Sequence, residues 1–162
     1  MKIAIIADTH LPRGARRLPD ECVRSLQEAE LILHGGDFVT VETLRQLERL
    51  GAVAGVVGNM DEPRLHKLLP ERRVVEVGGA RIGMVHISGR LDGRAQRLVS
   101  MFPDCDAVVY GHTHLAEVTL HGDCWVLNPG SPTERRRAPA RTMLELEIDA
   151  EELVPKLIRL TT

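Results

Sequence analysis

Aspartate, histidine and asparagine recur in this chain directly after short apolar runs. IAIIA leads to Asp8 and His10, LILHGG to Asp37, AVAGVVG to Asn59 and Asp61, RIGMV to His86, and AVVYG to His112 and His114. Carboxylates, imidazoles and an amide oxygen form a mixed donor set that suits Mn²⁺, Fe²⁺, Co²⁺ or Zn²⁺ better than calcium, which favours oxygen alone. No cysteine belongs to the set, which argues against a structural thiolate zinc site. The donors exceed what one ion needs, whereas two ions sharing a carboxylate would use them all. Asp37 is the choice for the shared ligand, because Gly35 and Gly36 free the backbone beside it.

Each fragment alone has a plainer reading. GGD or GNMD is more often a turn, GHTH can cap a strand, and a histidine behind IGMV is commonly a satisfied core residue. Those readings must also explain why several apolar runs end alike, while His34, His66 and His121 fit no pattern.

The runs themselves read as strands. KIAIIAD is short, apolar and rich in isoleucine, as a buried strand is. LPRGARRLP (11–19) is a basic loop, and DECVRSLQEAE a helix with Asp20 as its possible cap. LILHGGDF is a second strand, followed by a helix that Thr40 caps and Gly51 stops. AVAGVVGNMD is a third strand and EPRLHKLLP a short helix or turn. RVVEVGGARIGMVHIS predicts a hairpin about Gly78-Gly79, GRAQRLVSMFP a helix, and CDAVVYGHTH another strand. The remainder reads mostly as antiparallel strands with turns at 121–123 and 149–150. Helices alternating with strands early and hairpins later predict a mixed α/β sandwich in one domain, 1–162. Ligands of such folds gather at the carboxyl ends of strands. Residues two apart on an extended stretch face the same way, which would set Asp8 beside His10 and His112 beside His114, each pair on one ion.

Composition narrows the partners. A net charge of -2 makes no case for a nucleic-acid or membrane surface. An aromatic content of 2% argues against base stacking along a single strand. Arg135, Arg136 and Arg137 read as a solvated loop. Cys22, Cys105 and Cys124 are scattered and suggest small buried side chains rather than a disulfide framework. The apolar run after Lys2 is too short for a membrane span or signal core, so the expected location is the cytoplasm.

Taken in order, DTH (8–10), GGD (35–37), GNMD (58–61), His86, GHTH (111–114) and NPGSP (128–132) resemble the calcineurin-like metallophosphoesterases, and within them the YfcE-like phosphodiesterase branch. The resemblance implies a four-layer αββα sandwich with two central mixed β-sheets and a dinuclear metal centre at one edge. It assigns Asp8, His10, Asp37 and His114 to one ion and Asp37, Asn59, His86 and His112 to the other. Asp37, Asn59, Asp61 and His86 would be the residues of catalysis, Asp61 by orienting a ligand histidine or a turn amide. The cofactor would be two divalent ions, Mn²⁺ foremost, with Ni²⁺, Co²⁺, Fe²⁺, Zn²⁺ or Mg²⁺ as alternatives. The implied activity is phosphodiester hydrolysis by a metal-bridging hydroxide. The substrate would be a small phosphodiester or nucleotide-like molecule, with a nucleic-acid end left open, and the protein a possible homo-oligomer.

Two departures bear on chemistry. Many relatives carry a histidine where this chain has Met60, and methionine cannot act as an acid. HISGR keeps His86 but lacks the second histidine common after it. Arg13, Arg90 and the backbone near Gly130-Ser131 are candidates for phosphate contact. Competing functions are a phosphomonoesterase or nucleotide pyrophosphatase at the same centre, and a protein-binding scaffold like the retromer subunit of the same fold.

Overall fold

Alternation along the first strand decides the layering. In the computed structural model, which describes every residue except Arg13, Ala15, Glu151 and Thr162, β1 (Lys2–Ile6) sends Ile3 and Ile5 to one face and Ala4 and Ile6 to the other. Both faces are buried, as a run without polar residues requires.

β1 pairs in parallel with β2 (Leu31–His34), and β2 with β3 (Val53–Gly55). The antiparallel β9 (Arg141–Asp149) and β10 (Glu152–Leu160) complete the order β10-β9-β1-β2-β3. Pro155 sits on the edge strand β10, where its missing N–H costs no ladder bond. The second sheet runs β4-β5-β6-β8-β7, built from β4 (Arg72–Val77), β5 (Ala80–Val85), β6 (Ala107–Tyr110), β7 (Glu117–His121) and β8 (Cys124–Asn128). β4 and β5 form the expected hairpin at Gly78-Gly79. β8 departs from the antiparallel expectation for the late strands: it pairs with β7 antiparallel but with β6 in parallel.

Ile3, Ile5, Leu33, Leu144 and Leu146 of the first sheet meet Ile82, Met84, Val109 and Leu127 of the second in one core. Outside the first sheet lie α1 (Asp20–Glu28), α2 (Val41–Glu48) and α3 (Pro63–Leu68), packing Leu26, Leu44, Leu47 and Leu65 against Ala4, Ile6 and Ile32. Outside the second, α4 (Arg94–Met101) packs Leu98 against Val108, Tyr110 and Val126. This is the four-layer αββα sandwich with two mixed sheets.

Thr40 caps α2 as expected, its hydroxyl accepting from the Thr43 amide at 3.3 Å. Asp20 does not cap α1: Pro19 holds that position, and Asp20 is the first helical residue, where its charge still opposes the positive end of the helix dipole. Among the described residues no helix is long and apolar enough to cross a membrane.

Candidate metal centre

The parallel strands of both sheets deliver their carboxyl ends to one edge. Asp8 follows β1, Asp37 follows β2, Asn59 follows β3, His86 follows β5, and His112 and His114 follow β6. Two contacts fasten the sheets there: His112 donates its backbone N–H to Asp8 Oδ2 at 2.9 Å, and His86 Nδ1 lies 2.7 Å from the Gly35 carbonyl.

Asp37 Oδ2 is 3.3 Å from His10 Nε2 and 3.3 Å from His86 Nε2. Asp8 Oδ1 is 3.8 Å from the same two nitrogens and 3.5 Å from His114 Nε2. Asn59 Oδ1 reaches His86 Nε2 at 3.0 Å and His112 Nδ1 at 3.1 Å. All seven residues singled out as metal donors therefore converge. Asp8, His10 and His114 form one group of ligand atoms, and Asp8, Asp37 and His86 another.

Donor chemistry fits a cation. The Gly35 carbonyl can only accept, so His86 Nδ1 carries the proton. Its Nε2 then faces oxygens of Asn59, Asp37 and Asp8, a place for positive charge and not for a lone pair. Among the described residues, Asp8 Oδ1 and both ring nitrogens of His10 are buried without a hydrogen-bond partner, at a cost that a shared cation would remove.

The electrostatics follow from this crowding. Burial alone would lower the His10 pKa, but contact with Asp37 and Asp8 outweighs it and lifts the imidazole to about 9. His86 rises for the same reason, with Asp37 and Asp8 overcoming its burial. Burial works against an ionised Asp37, yet His10 and His86 hold its carboxyl well below the ordinary range. His114 moves down, because burial prevails over the attraction of Asp8.

The sequence expectation of two in-line pairs on extended backbone is not met. Asp8, His10, Asp37, His112 and His114 all have left-handed backbone, with φ of 55°, 47°, 65°, 75° and 62°. Strand geometry ends before each of them, and the turns separate one pair: His112 faces Asn59 while His114 faces Asp8. Asp8 and His10 do remain in one group.

Supporting residues hold these strained turns. Asp61 touches no histidine; its carboxylate accepts from the amides of Val39, Gly58 and Asp37. It is the turn-amide half of the expected role. The Met60 amide donates to Asp37 Oδ1 at 2.9 Å, which leaves Oδ2 for the histidines. Gly58 is needed for that approach, since a Cβ there would stand 2.1 Å from Asp37 Oδ1. The NPGSP segment supplies Ser131, whose hydroxyl donates to the Asp8 carbonyl, and Thr133 beyond it does the same for Thr9.

His34, set aside in the sequence, lies directly beneath. Its Nδ1 accepts from the Gly36 amide, its Nε2 meets Thr9 Oγ1, and its ring stacks on Phe38 at 3.5 Å. Burial drives its pKa down to about 3, so it is neutral. A strand-ending histidine three residues before Asp37 was the available signal. Glu134 was also missed; it pairs with Arg16 and Arg136 and sets Oε2 3.8 Å from His114 Nδ1.

The phosphate candidates fare unevenly. The Gly130 amide is already given to Asn128 Oδ1, which removes it as an anion donor. Arg90 is exposed on the segment between His86 and α4, and Arg13 lies outside the described residues. Arg135, Arg136 and Arg137 are exposed, as a solvated loop should be. Met60 is 40% exposed.

Sandwich topology and donor cluster together define a metallophosphoesterase-type scaffold. The family description "Calcineurin-like phosphoesterase superfamily domain" matches residues 1–151, and the chain belongs to that superfamily. A probable metallophosphoesterase of Methanothermobacter thermautotrophicus is 36% identical over 162 residues, covering 98% of this chain and 92% of the relative. A phosphodiesterase of Methanocaldococcus jannaschii is 29% identical over 147 residues, covering 80% and 83%. Wild-type Vps29 of Entamoeba histolytica, solved in complex with zinc, matches with a TM-score of 0.78 at 27% identity, covering 99% of this chain and 98% of that one.

Proposed function

We propose that this protein hydrolyses phosphodiesters with two divalent ions, Mn²⁺ foremost. Asp8, His10, Asp37 and His114 hold one ion, and Asp37, Asn59, His86 and His112 the other. The observation that carries the reading is Asp37 Oδ2 midway between two imidazoles, 3.3 Å from each, beside the unpartnered Asp8 Oδ1. Bound there, the ions would supply charge that polarises phosphoryl oxygens and acidifies a nucleophilic water.

The protein's part is orientation. His86 is fixed in one tautomer by Gly35, and Asp37 by the Met60 amide and by Asp61. Asp8, His10 and His114 are buried, whereas Asn59 and His112 are exposed, so substrate meets the site from the Asn59–His112 side. Met60 offers no proton at that mouth, and this chain should favour diesters with good leaving groups. The preference for diesters is supported by the phosphodiesterase relative alone.

The test is hydrolysis of bis-p-nitrophenyl phosphate beside p-nitrophenyl phosphate. Protein stripped with chelator is resupplied separately with Mn²⁺, Ni²⁺, Co²⁺, Zn²⁺ and Mg²⁺, with Asp37→Asn in parallel. Metal-restored diester cleavage, lost in the variant, is the expected result. Faster monoester cleavage would move the function to a phosphatase. No turnover with any ion would favour a scaffold, the reading that the likeness to Vps29 supports.

A further inference from the structure

A cleft of about 260 Å³ opens beside Asn59 and His86, on the exposed side of the centre. Its walls are Val57, which lies just beyond β3, Val85 at the end of β5, and Ile87 next to His86. Its rim carries His66 from α3 and Glu71 and Arg72 at the start of β4. The parts are tied together by backbone: the Val57 amide donates to the Pro70 carbonyl at 2.9 Å, and Arg72 stands opposite Val85 in the β4–β5 register. The cleft is thus built before any ligand arrives. Ile87 keeps 49% of its surface in water although both neighbours, His86 and Ser88, are buried, a cost that an apolar ligand face would remove.

Three occupants can be compared by chemistry. A second phosphate would suit Arg72 but meets the Glu71 carboxylate beside it. An alkyl chain would suit the valines and Ile87 but leave the rim without partners. A flat nitrogen heterocycle satisfies both, with its faces on the aliphatic walls and its edge offering acceptors to Arg72 and His66 and donors to Glu71. The volume is smaller than the roughly 300–1,000 Å³ of sites that enclose a drug-sized ligand, which leaves room for one ring system.

We propose that this cleft is the nucleobase subsite and that the substrates are nucleotide esters, whose phosphate lies at Asn59 and His86. The inference rests on the metal-dependent hydrolysis proposed above. Ile87 and Arg72 are its specificity residues, one by contact with the ring face and the other with the ring edge.

Two readouts test it separately from that hydrolysis. Metal-stripped protein is titrated with adenosine and followed by amide chemical shifts. Shifts at Val57, Arg72 and Ile87 are expected, with affinity weakened about fivefold or more by Ile87→Trp, which fills the cleft, and by Arg72→Ala, which leaves the walls intact. In the metal-loaded protein, kcat/KM is compared for thymidine 5′-(p-nitrophenyl phosphate) and methyl p-nitrophenyl phosphate, which share a leaving group. The nucleoside ester should lead by about tenfold or more, and either variant should collapse that ratio toward one. Hydrolysis of both esters at equal rates, or adenosine shifts elsewhere, overturns the subsite and leaves the hydrolase standing. Adenosine shifts in the cleft without turnover of either ester under any ion uphold the subsite and sink the hydrolase.

Discussion

Asp61 holds three backbone amides of two different loops, so its removal has a cost that can be worked out bond by bond. Val39 donates to Oδ1 at 2.6 Å, Gly58 to Oδ2 at 2.7 Å, and Asp37 to Oδ2 at 3.2 Å. Asp61→Ala strips all three. A buried amide left without an acceptor costs about 1–3 kcal/mol; with the longest bond weakest and some water admitted, the loss should be about 3–5 kcal/mol. Asp61→Asn keeps the shape but turns one acceptor into a donor. It spares either the Val39 bond or the Gly58 and Asp37 pair, for a loss of about 1–3 kcal/mol. Equilibrium urea unfolding of the metal-stripped protein at pH 7 reads both values, and the slope should not change. The same variants should weaken metal binding about 10–100-fold, because Asp37 loses the acceptor of its amide. A loss below about 1 kcal/mol for Asp61→Ala, or equal losses for the two variants, would refute the assignment of Asp61 as the clamp of these turns.

Three further outcomes are expected. Gly58→Ala should destabilise the fold by about 1–3 kcal/mol and weaken metal binding, since its new Cβ would press on Asp37 Oδ1 and on the Asp37 backbone nitrogen at 2.4 Å; thermal melts with and without metal check this. His34 is held neutral with a folded pKa near 3, against about 6.5 unfolded. The unfolded chain therefore binds the extra proton first, and stability should fall as pH drops from about 6.5 toward 3, with a slope from this group of up to about 1.4 kcal/mol per pH unit; His34→Gln should flatten that segment of a pH–stability curve. Asp37→Asn should lower metal-dependent diesterase kcat/KM on the order of 10³-fold or more, the scale of several kcal/mol of transition-state charge stabilisation, and should abolish the rise in melting temperature on metal addition.

Much of the architecture was legible because apolar periodicity reports burial. IAIIA read as a buried strand and Gly78-Gly79 as a hairpin turn between β-rich flanks, and both are so. Strand partners were less legible: nothing in CWVLN states that one edge meets β6 in parallel and the other β7 in antiparallel. The grouping of the donor residues was readable, since turns, strand caps and core histidines explain each fragment singly but not the recurrence behind several apolar runs. Their backbone was not. Alternation along a strand led to His112 and His114 on one ion, but left-handed turns beyond Tyr110 point them to different partners. His34 and Glu134 stayed hidden because their work is done through other residues. His34 looks like one more strand residue until Gly36, Thr9 and Phe38 are folded around it.

The left-handed backbone at Asp8, His10, Asp37, His112 and His114 also has a meaning for the history open to such a chain. Each such position costs about 1–3 kcal/mol, borne by contacts elsewhere in the fold. Glycine adopts this conformation without that cost. A lineage with no need of ions at these positions could therefore recover stability by changing the candidate ligands themselves. The sandwich would survive such changes and gain from them, so a binding role without ions would be a downhill step from this site, while the return would require strain to be rebuilt at several turns together.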